Sequence, residues 1–352
     1  MGRRAPGIRA GLLALACGVL LAAPQVRGQE AIDIVWINGP LYLIAGAGAN
    51  VTASVGYDGV LLVDSGSQAM SATLLRAIRG LQERLAEANR PAPLPGGAET
   101  RSSVVQNRAP AAPPKPVRYI INTSAGLDHI GGNQLIGAEE GVTFTGGNVA
   151  GNIADAGEGA AVYAHERVMQ RLVSENVPFP MLPTATYYQA SNKLSHFFNG
   201  DGVRMVHMPA AHSDGDTIVQ FTRSDVIVTG EIFSQTGYPR IDVARGGTID
   251  GVLDALNYIL DVAIPEFRTE GGTMIVPARG RLSDSADVGY YRDMLTIIRD
   301  NMQEMIKRGM TLEQIKAARP TKAYDTRFGA DSGPWTTEMF VEAVYANLTA
   351  GR

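Results

Sequence analysis

Asn122-Thr123-Ser124-Ala125-Gly126-Leu127-Asp128-His129-Ile130-Gly131-Gly132-Asn133 completes an apolar run that begins at Val117. A β run that breaks into small residues, an acid and a histidine reads as a strand-end loop that presents ionisable groups. The same grammar recurs on both sides of it. Upstream, Gly59-Val60-Leu61-Leu62-Val63 is a buried strand that stops at Asp64-Ser65-Gly66. Downstream, Pro209-Ala210-Ala211-His212-Ser213-Asp214-Gly215-Asp216-Thr217 follows the β run Gly202–Met208. Val226-Ile227-Val228-Thr229-Gly230-Glu231-Ile232-Phe233 and Ile275-Val276-Pro277-Ala278-Arg279-Gly280 complete the set.

Between these segments the chain alternates short β runs with helical spacing, which indicates an α/β layered domain. Ile34–Ile37 and Leu41–Ala45 flank Asn38-Gly39, a hairpin signal. Leu74, Leu75, Ile78, Leu81 and Leu85 place a helix over Met70–Ala88. Further helices are expected near Val162–Glu175 and over Thr248–Leu260, with strands at Thr217–Phe221, Val226–Thr229 and Thr273–Pro277. The tail reads as three helices: Tyr290–Arg308, one opened by a Thr311/Gln314 capping box and ending near Pro320, and Trp335–Leu348. Met294, Met302, Met305 and Met310 fit there as packing residues.

Taken in order, the five strand-end segments resemble the metallo-β-lactamase superfamily, from about Ile34 to Asp300. The resemblance implies a four-layer αββα sandwich, here with a C-terminal helical extension. The closing residues Thr311-Leu312-Glu313-Gln314 and Gly333-Pro334-Trp335-Thr336-Thr337 are similar to exported members of unassigned substrate. The implied organisation is a signal peptide at 1–28, a domain at 29–300 and the extension at 301–352.

In that family the first motif reads His-x-His-x-Asp-His, the second adds a histidine, the third a bridging aspartate and the fourth a last histidine. These ligands hold two zinc ions, which lower the pKa of a bound water to make hydroxide near neutral pH. Carried onto this chain, Asp128, His129 and His212 remain, and Glu231 stands for the bridging aspartate. Ser124 and Gly126 replace the two leading histidines. Arg279 replaces the last, and a guanidinium cannot ligate a metal. The reduced set Asp128, His129, His212 and Glu231 could hold one zinc, iron or manganese ion, and Asp128 is the candidate catalytic group. The competing reading is a eroded centre in which Arg279 bridges Asp128 and Glu231, since two carboxylates drawn together need a cation.

Other assignments stay open beside these. His129 is either a metal ligand or a buried histidine bonded to a carboxylate. Ser124 as a nucleophile with His129 as base lacks a strained elbow motif. Asp64 reads as a loop-fixing carboxylate, and Asp214 and Asp216 as turn residues. His165, His196 and His207 fall outside the motifs and read as surface or capped-strand residues.

The 352 residues are 45% hydrophobic and 19% charged, with 40 glycines and 19 prolines, so the chain can bury a large core with many loops. A net charge of -4 gives no electrostatic footprint for nucleic acid. Arg3, Arg4 and Arg9 precede the apolar run Ala10–Ala23, and Val26 and Gly28 suit a cleavage site before Gln29. This reads as a cleaved secretory signal rather than a stable membrane anchor, with export to a periplasm. Arg3-Arg4 leaves twin-arginine export open. Removing 1–28 takes out four arginines, no acid and the single cysteine, Cys17, so the net charge falls from -4 to -8. Any metal must then be held by His, Asp or Glu. Seven prolines within Arg90–Pro116 mark an exposed insertion. The expected function is an exported protein with a small-molecule cleft, an eroded di-zinc site and no ordinary zinc-dependent hydrolysis, a ligand-binding pseudoenzyme. The alternative is a remodelled mononuclear-metal hydrolase of a small ester, lactone, lactam or thioester.

Overall fold

Every residue of the strand Gly59–Val63 is buried, and its alternation sets out the layers. Val60 and Leu62 join a core with Leu74, Ile78 and Leu81 of a helix, whereas Leu61 and Val63 join Val219, Phe221 and Val228 of a second sheet. Successive side chains of a strand point to opposite faces, so a strand apolar at every position must be covered on both. Each such buried Val or Leu contributes roughly 1.5–3 kcal/mol.

The computed structural model describes Gly2 and residues 32–89, 114–138, 159–264 and 272–350. Apart from Gly2, the signal segment 1–28 lies outside the described residues, and so does the proline-rich insertion before residue 114. Among the described residues one sheet runs in the order β1 (Asp33–Asn38), β2 (Leu41–Ala45), β3 (Val51–Gly56), β4 (Gly59–Val63), β5 (Val117–Ile121), β6 (Ala161–His165) and β7 (Ala185–Tyr187). β1 to β4 form an antiparallel meander, and β4 to β7 are parallel. The other sheet holds β8 (Ser191–Lys193), β9 (Val203–Met208), β10 (Asp216–Phe221), β11 (Val226–Val228) and β12 (Met274–Val276), ordered β12-β11-β10-β9-β8. Only the β11–β12 pairing is parallel there.

Helices α1 (Ser71–Ala88), α2 (Leu127–Ile130) and α3 (Asn133–Ala138) belong to the first sheet's side, followed by α4 (Glu166–Ser174). α5 (Ile249–Val262), α6 (Ser285–Lys307), α7 (Leu312–Ala318), α8 (Asp325–Phe328) and α9 (Thr337–Thr349) follow in the second half. Ile218, Ile227 and Ile275 of the second sheet share a core with Leu256 of α5, Leu295 of α6 and Phe340 of α9. The result is the αββα sandwich. The expected boundary at residue 300 falls inside α6, whose buried residues run on through Met302 and Ile306. The closing helices thus belong to the outer layer over the second sheet.

One local reading needs correction. The stretch near Val162–Glu175 is not one helix, because β6 occupies Ala161–His165 and α4 starts only at Glu166. Its periodicity is helical from Val168 onward, while Val162 and Ala164 pair into the sheet. β7 and β8, three residues each, carry too short a pattern to be read. The capping box at Thr311 and Gln314 is present, and Thr336 caps α9.

Candidate functional site

Parallel strands aligned side by side deliver their following loops to one edge, and here those loops converge across both sheets. β4 ends at Asp64, whose φ of 64° is left-handed, a conformation that aspartate tolerates better than most residues. From there its carboxylate accepts Thr123 N at 2.8 Å, Thr123 Oγ1 at 2.7 Å and His129 Nδ1 at 2.7 Å. It fixes the loop, as expected, and it also orients the imidazole. Asp128 and His129 sit in α2, a single turn opened after β5. Ser65 N and Oγ both hold the His129 carbonyl, at 2.7 and 3.1 Å.

On its other side, His129 Nε2 lies 2.7 Å from Glu231 Oε1. Glu231 is carried by the short turn Gly230–Ile232 after β11. Gly230 has a φ of 54°, and a Cβ there would stand 2.6 Å from Thr123 Oγ1, so the turn needs glycine. Arg279 follows β12 and donates from Nη1 to Glu231 Oε1 at 2.7 Å and from Nη2 to Asp128 Oδ2. Its backbone is braced by Asn50, whose Nδ2 donates to Pro277 O and Gly280 O at 3.0 Å each. Asn50 is a positioning residue that no motif announced.

These contacts decide the charges. Burial works to lower the pKa of His129, but Asp64 and Glu231 outweigh it and hold it well above its usual value. Burial likewise works to raise Glu231, but contact with His129 and the charge of Arg279 hold it well below the usual carboxylate range. Arg279 is held more firmly protonated by Glu231 and Asp128, against the effect of burial. The centre is an imidazolium and a guanidinium shared among three carboxylates.

His212 is placed apart. Its Nδ1 lies 3.2 Å from Asp216 Oδ1, and Asp216 also accepts Ser213 N at 2.6 Å. Burial tends to lower the His212 pKa, and Asp216 raises it above the usual value. Asp216 therefore holds the turn, whereas Asp214 pairs with Arg171 at 2.5 Å. Among the described residues one group has metal-ligand atoms within 4.8 Å of one another: Asp128, His129 and Glu231. Ser124 Oγ accepts Gly126 N at 3.3 Å, and His129 has both nitrogens engaged, so a Ser124–His129 nucleophilic pair is not formed. At Gly126 a Cβ would come 2.9 Å from Asp128 Oδ1, so a histidine there would collide with the carboxylate that meets Arg279. His165 is not a surface residue: it is buried, caps α4 and stacks on His207 with ring centroids 3.6 Å apart. His196 is exposed.

Residues 46–278 match the metallo-beta-lactamase superfamily. The chain belongs to that superfamily. Among solved structures, the stereoselective inverting sec-alkylsulfatase Pisa1 from Pseudomonas sp. has a TM-score of 0.57 at 14% identity, covering 90% of this chain and 50% of that one. A double mutant of that sec-alkylsulfatase gives 0.58 at 15% identity with the same coverage. The DIM-1 metallo-beta-lactamase gives 0.48 at 12% identity, covering 75% of this chain and 97% of its own. The chain thus spans about half the length of the sec-alkylsulfatase. No curated protein matches it in sequence.

Metallo-β-lactamase-superfamily proteins usually bind zinc, and the Asp64–His129 contact is the kind of outer support that ligating histidines have. The donor set as a whole does not fit. A catalytic zinc takes three protein ligands with an open position. Here His129 Nε2, Glu231 Oε1 and Asp128 Oδ2 are all engaged within one ion-pair network, and Arg279 supplies a fixed cation to two of them. A dication would have to displace it. Over this centre opens a cleft of about 250 Å³ whose wall includes Tyr238, Phe328 and Trp335. A second cleft of about 440 Å³ lies beside His212 and shares Arg240, Pro334 and Trp335 with the first. Tyr238 comes from the loop after Glu231, while α8 and the segment before α9 supply Phe328 and Trp335 from the distant tail, where the resemblance marked Gly333-Pro334-Trp335-Thr336-Thr337 without giving it a role in a cleft.

Proposed function

We propose that this chain is an exported metallo-β-lactamase-fold protein that binds a small molecule in the cleft above Arg279 and has lost ordinary zinc-dependent hydrolysis. The observation that carries the reading is the double contact of Arg279 with Glu231 and Asp128. It puts a permanent cation among the carboxylates that a metal would need, at the position where the resemblance expects the last ligand histidine. The cleft walls remain, so binding can outlast the chemistry.

The test is metal analysis of the purified mature protein after dialysis, joined to a turnover screen with esters, lactones, lactams, thioesters and secondary alkyl sulfates. Substoichiometric metal and no turnover are expected. Stoichiometric zinc with chelator-sensitive turnover would overturn the reading. The runner-up, a mononuclear-metal hydrolase using Asp128, His129 and Glu231, draws support from the Asp64-oriented ring of His129. It requires Arg279 to swing out of the site.

A further inference from the structure

The arginines and lysine around the clefts are spoken for, with one exception. Arg279 pairs with Asp128 and Glu231, Arg245 with Glu175 and Asp242, and Arg171 with Asp214. On the side of α7 and α8, Lys316 pairs with Glu338 and Glu342, and Arg319 with Asp325. Arg240 has no hydrogen bond or ion pair with any described residue, although it is half-buried and lines both clefts. A partly desolvated guanidinium without an anion is costly unless a ligand completes it. Its position is not arbitrary, since its charge also acts on His212.

The surroundings of Arg240 are of two kinds. Tyr238, Phe328 and Trp335 supply an apolar wall, in which Tyr238 is held in place. Tyr238 Oη is tied to Thr321 O at 3.1 Å and Asp325 Oδ1 at 3.0 Å, and its ring stacks on Phe340 with centroids 4.7 Å apart. Trp335 Nε1, in contrast, is buried with no acceptor among the described residues. That donor is shielded from solvent. An apolar wall beside an uncompensated cation and an unanswered N–H selects an apolar body with one oxyanion head.

Building on the ligand-binding reading above, we infer that the cleft takes an amphiphilic monoanion, with its carboxylate or sulfate head on Arg240 and its apolar body against Tyr238, Phe328 and Trp335. Arg279 is already balanced by two carboxylates, whereas Arg240 has none, so Arg240 is the cation left for the ligand. The site therefore has two cations with separate duties, one internal and one offered to the ligand.

The experiment is isothermal titration of the mature protein with octanoate, with octyl sulfate below its micelle-forming concentration, and with 1-octanol. Wild type should bind both anions about tenfold or more tighter than the alcohol, as loss of a charged hydrogen bond implies. Arg240→Gln should bring the anions down to the level of octanol without moving octanol itself, and Arg240→Lys should retain part of the preference. Octanoate against octyl sulfate identifies which head group is favoured. Raising the salt should weaken the anions and leave octanol unchanged, a readout on wild type that needs no variant to fold. If octanol binds as well as the anions, or Arg240→Gln keeps the wild-type preference, Arg240 is not the anchor, while the cleft still binds. If none of the three probes binds wild type, the anchor and the ligand-binding reading fall together.

Discussion

His129 and Arg279 meet on a single atom: Oε1 of Glu231 lies 2.7 Å from His129 Nε2 and 2.7 Å from Arg279 Nη1. One buried carboxylate oxygen thus joins a cation delivered by the first sheet to one delivered by the second. The sandwich is pinned electrostatically at its functional edge.

Arg279→Ala should lower the melting temperature by several degrees. Removing one partner of a buried pair costs about 3–5 kcal/mol. The Arg279 side chain is 32% exposed, so solvent recovers part of this and roughly 1–3 kcal/mol is the expectation. Arg279→His should be destabilised in chelator and partly rescued by zinc, since Asp128, His129 and the introduced histidine make three ligands. Thermal melts of wild type and both variants, with chelator and with excess zinc, check this. Unchanged melting of Arg279→Ala would remove Arg279 from its role as metal surrogate.

The His129–Glu231 contact should give a stability window in mildly acid solution. His129 has a folded pKa above its usual value near 6.5, so its contribution is full below that value and is lost as pH rises through the folded pKa. Glu231 has a folded pKa below its usual value near 4.5, so its contribution is full above that value and is lost as pH falls through the folded pKa. The contact is therefore worth most between about pH 4.5 and 6.5. His165, lowered to about 4 by burial and by His207, destabilises the fold in that same range. The measurement is consequently the melting difference between wild type and Glu231→Gln across pH, in which His165 cancels. A pH-independent difference would refute the assignment.

Asp64→Asn is the clean probe of the orienting carboxylate. Asparagine also adopts the left-handed backbone that Asp64 needs, so the backbone stays unstrained while the charge and one of the two acceptor oxygens are lost. The His129 pKa should then fall, as read by imidazole NMR titration, while the fold persists. Asp64→Ala should be worse by about 1–2 kcal/mol from backbone strain alone.

Export predicts a mature chain that begins at or near Gln29. Intact mass of protein recovered from a periplasmic fraction checks it. A chain that starts at Cys17 with a lipid, or that retains residues 1–28, would be the contrary result.

The layered fold was legible because Val60–Val63 of β4 is apolar at every position, as a doubly covered strand needs, and because short β runs alternate with helical spacing. The site was legible where it follows a motif: Asp128, His129, Glu231 and Arg279 fall together, with Arg279 on the two carboxylates expected of it. His212 was read as part of the same set, yet its ring turns to Asp216, four residues on, and a local carboxylate leaves no mark in a ligand-spacing pattern. Asn50 and Arg240 were invisible for another reason. Asn50 acts on the loop that holds Arg279, 227 residues on, and Arg240 stands beside Trp335 from the far tail, and long-range partners of single polar residues carry no periodicity.

The sharing of one Glu231 oxygen by two cations also limits how the chain can change. Histidine at 279 alone leaves Asp128 and Glu231 short of a counterion until a metal enters, and a side chain at 126 has to shift the Asp128 carboxylate that meets Arg279. On the proposed reading Arg279 acts as a latch: a dication reaches these carboxylates only by displacing a guanidinium that holds both at once.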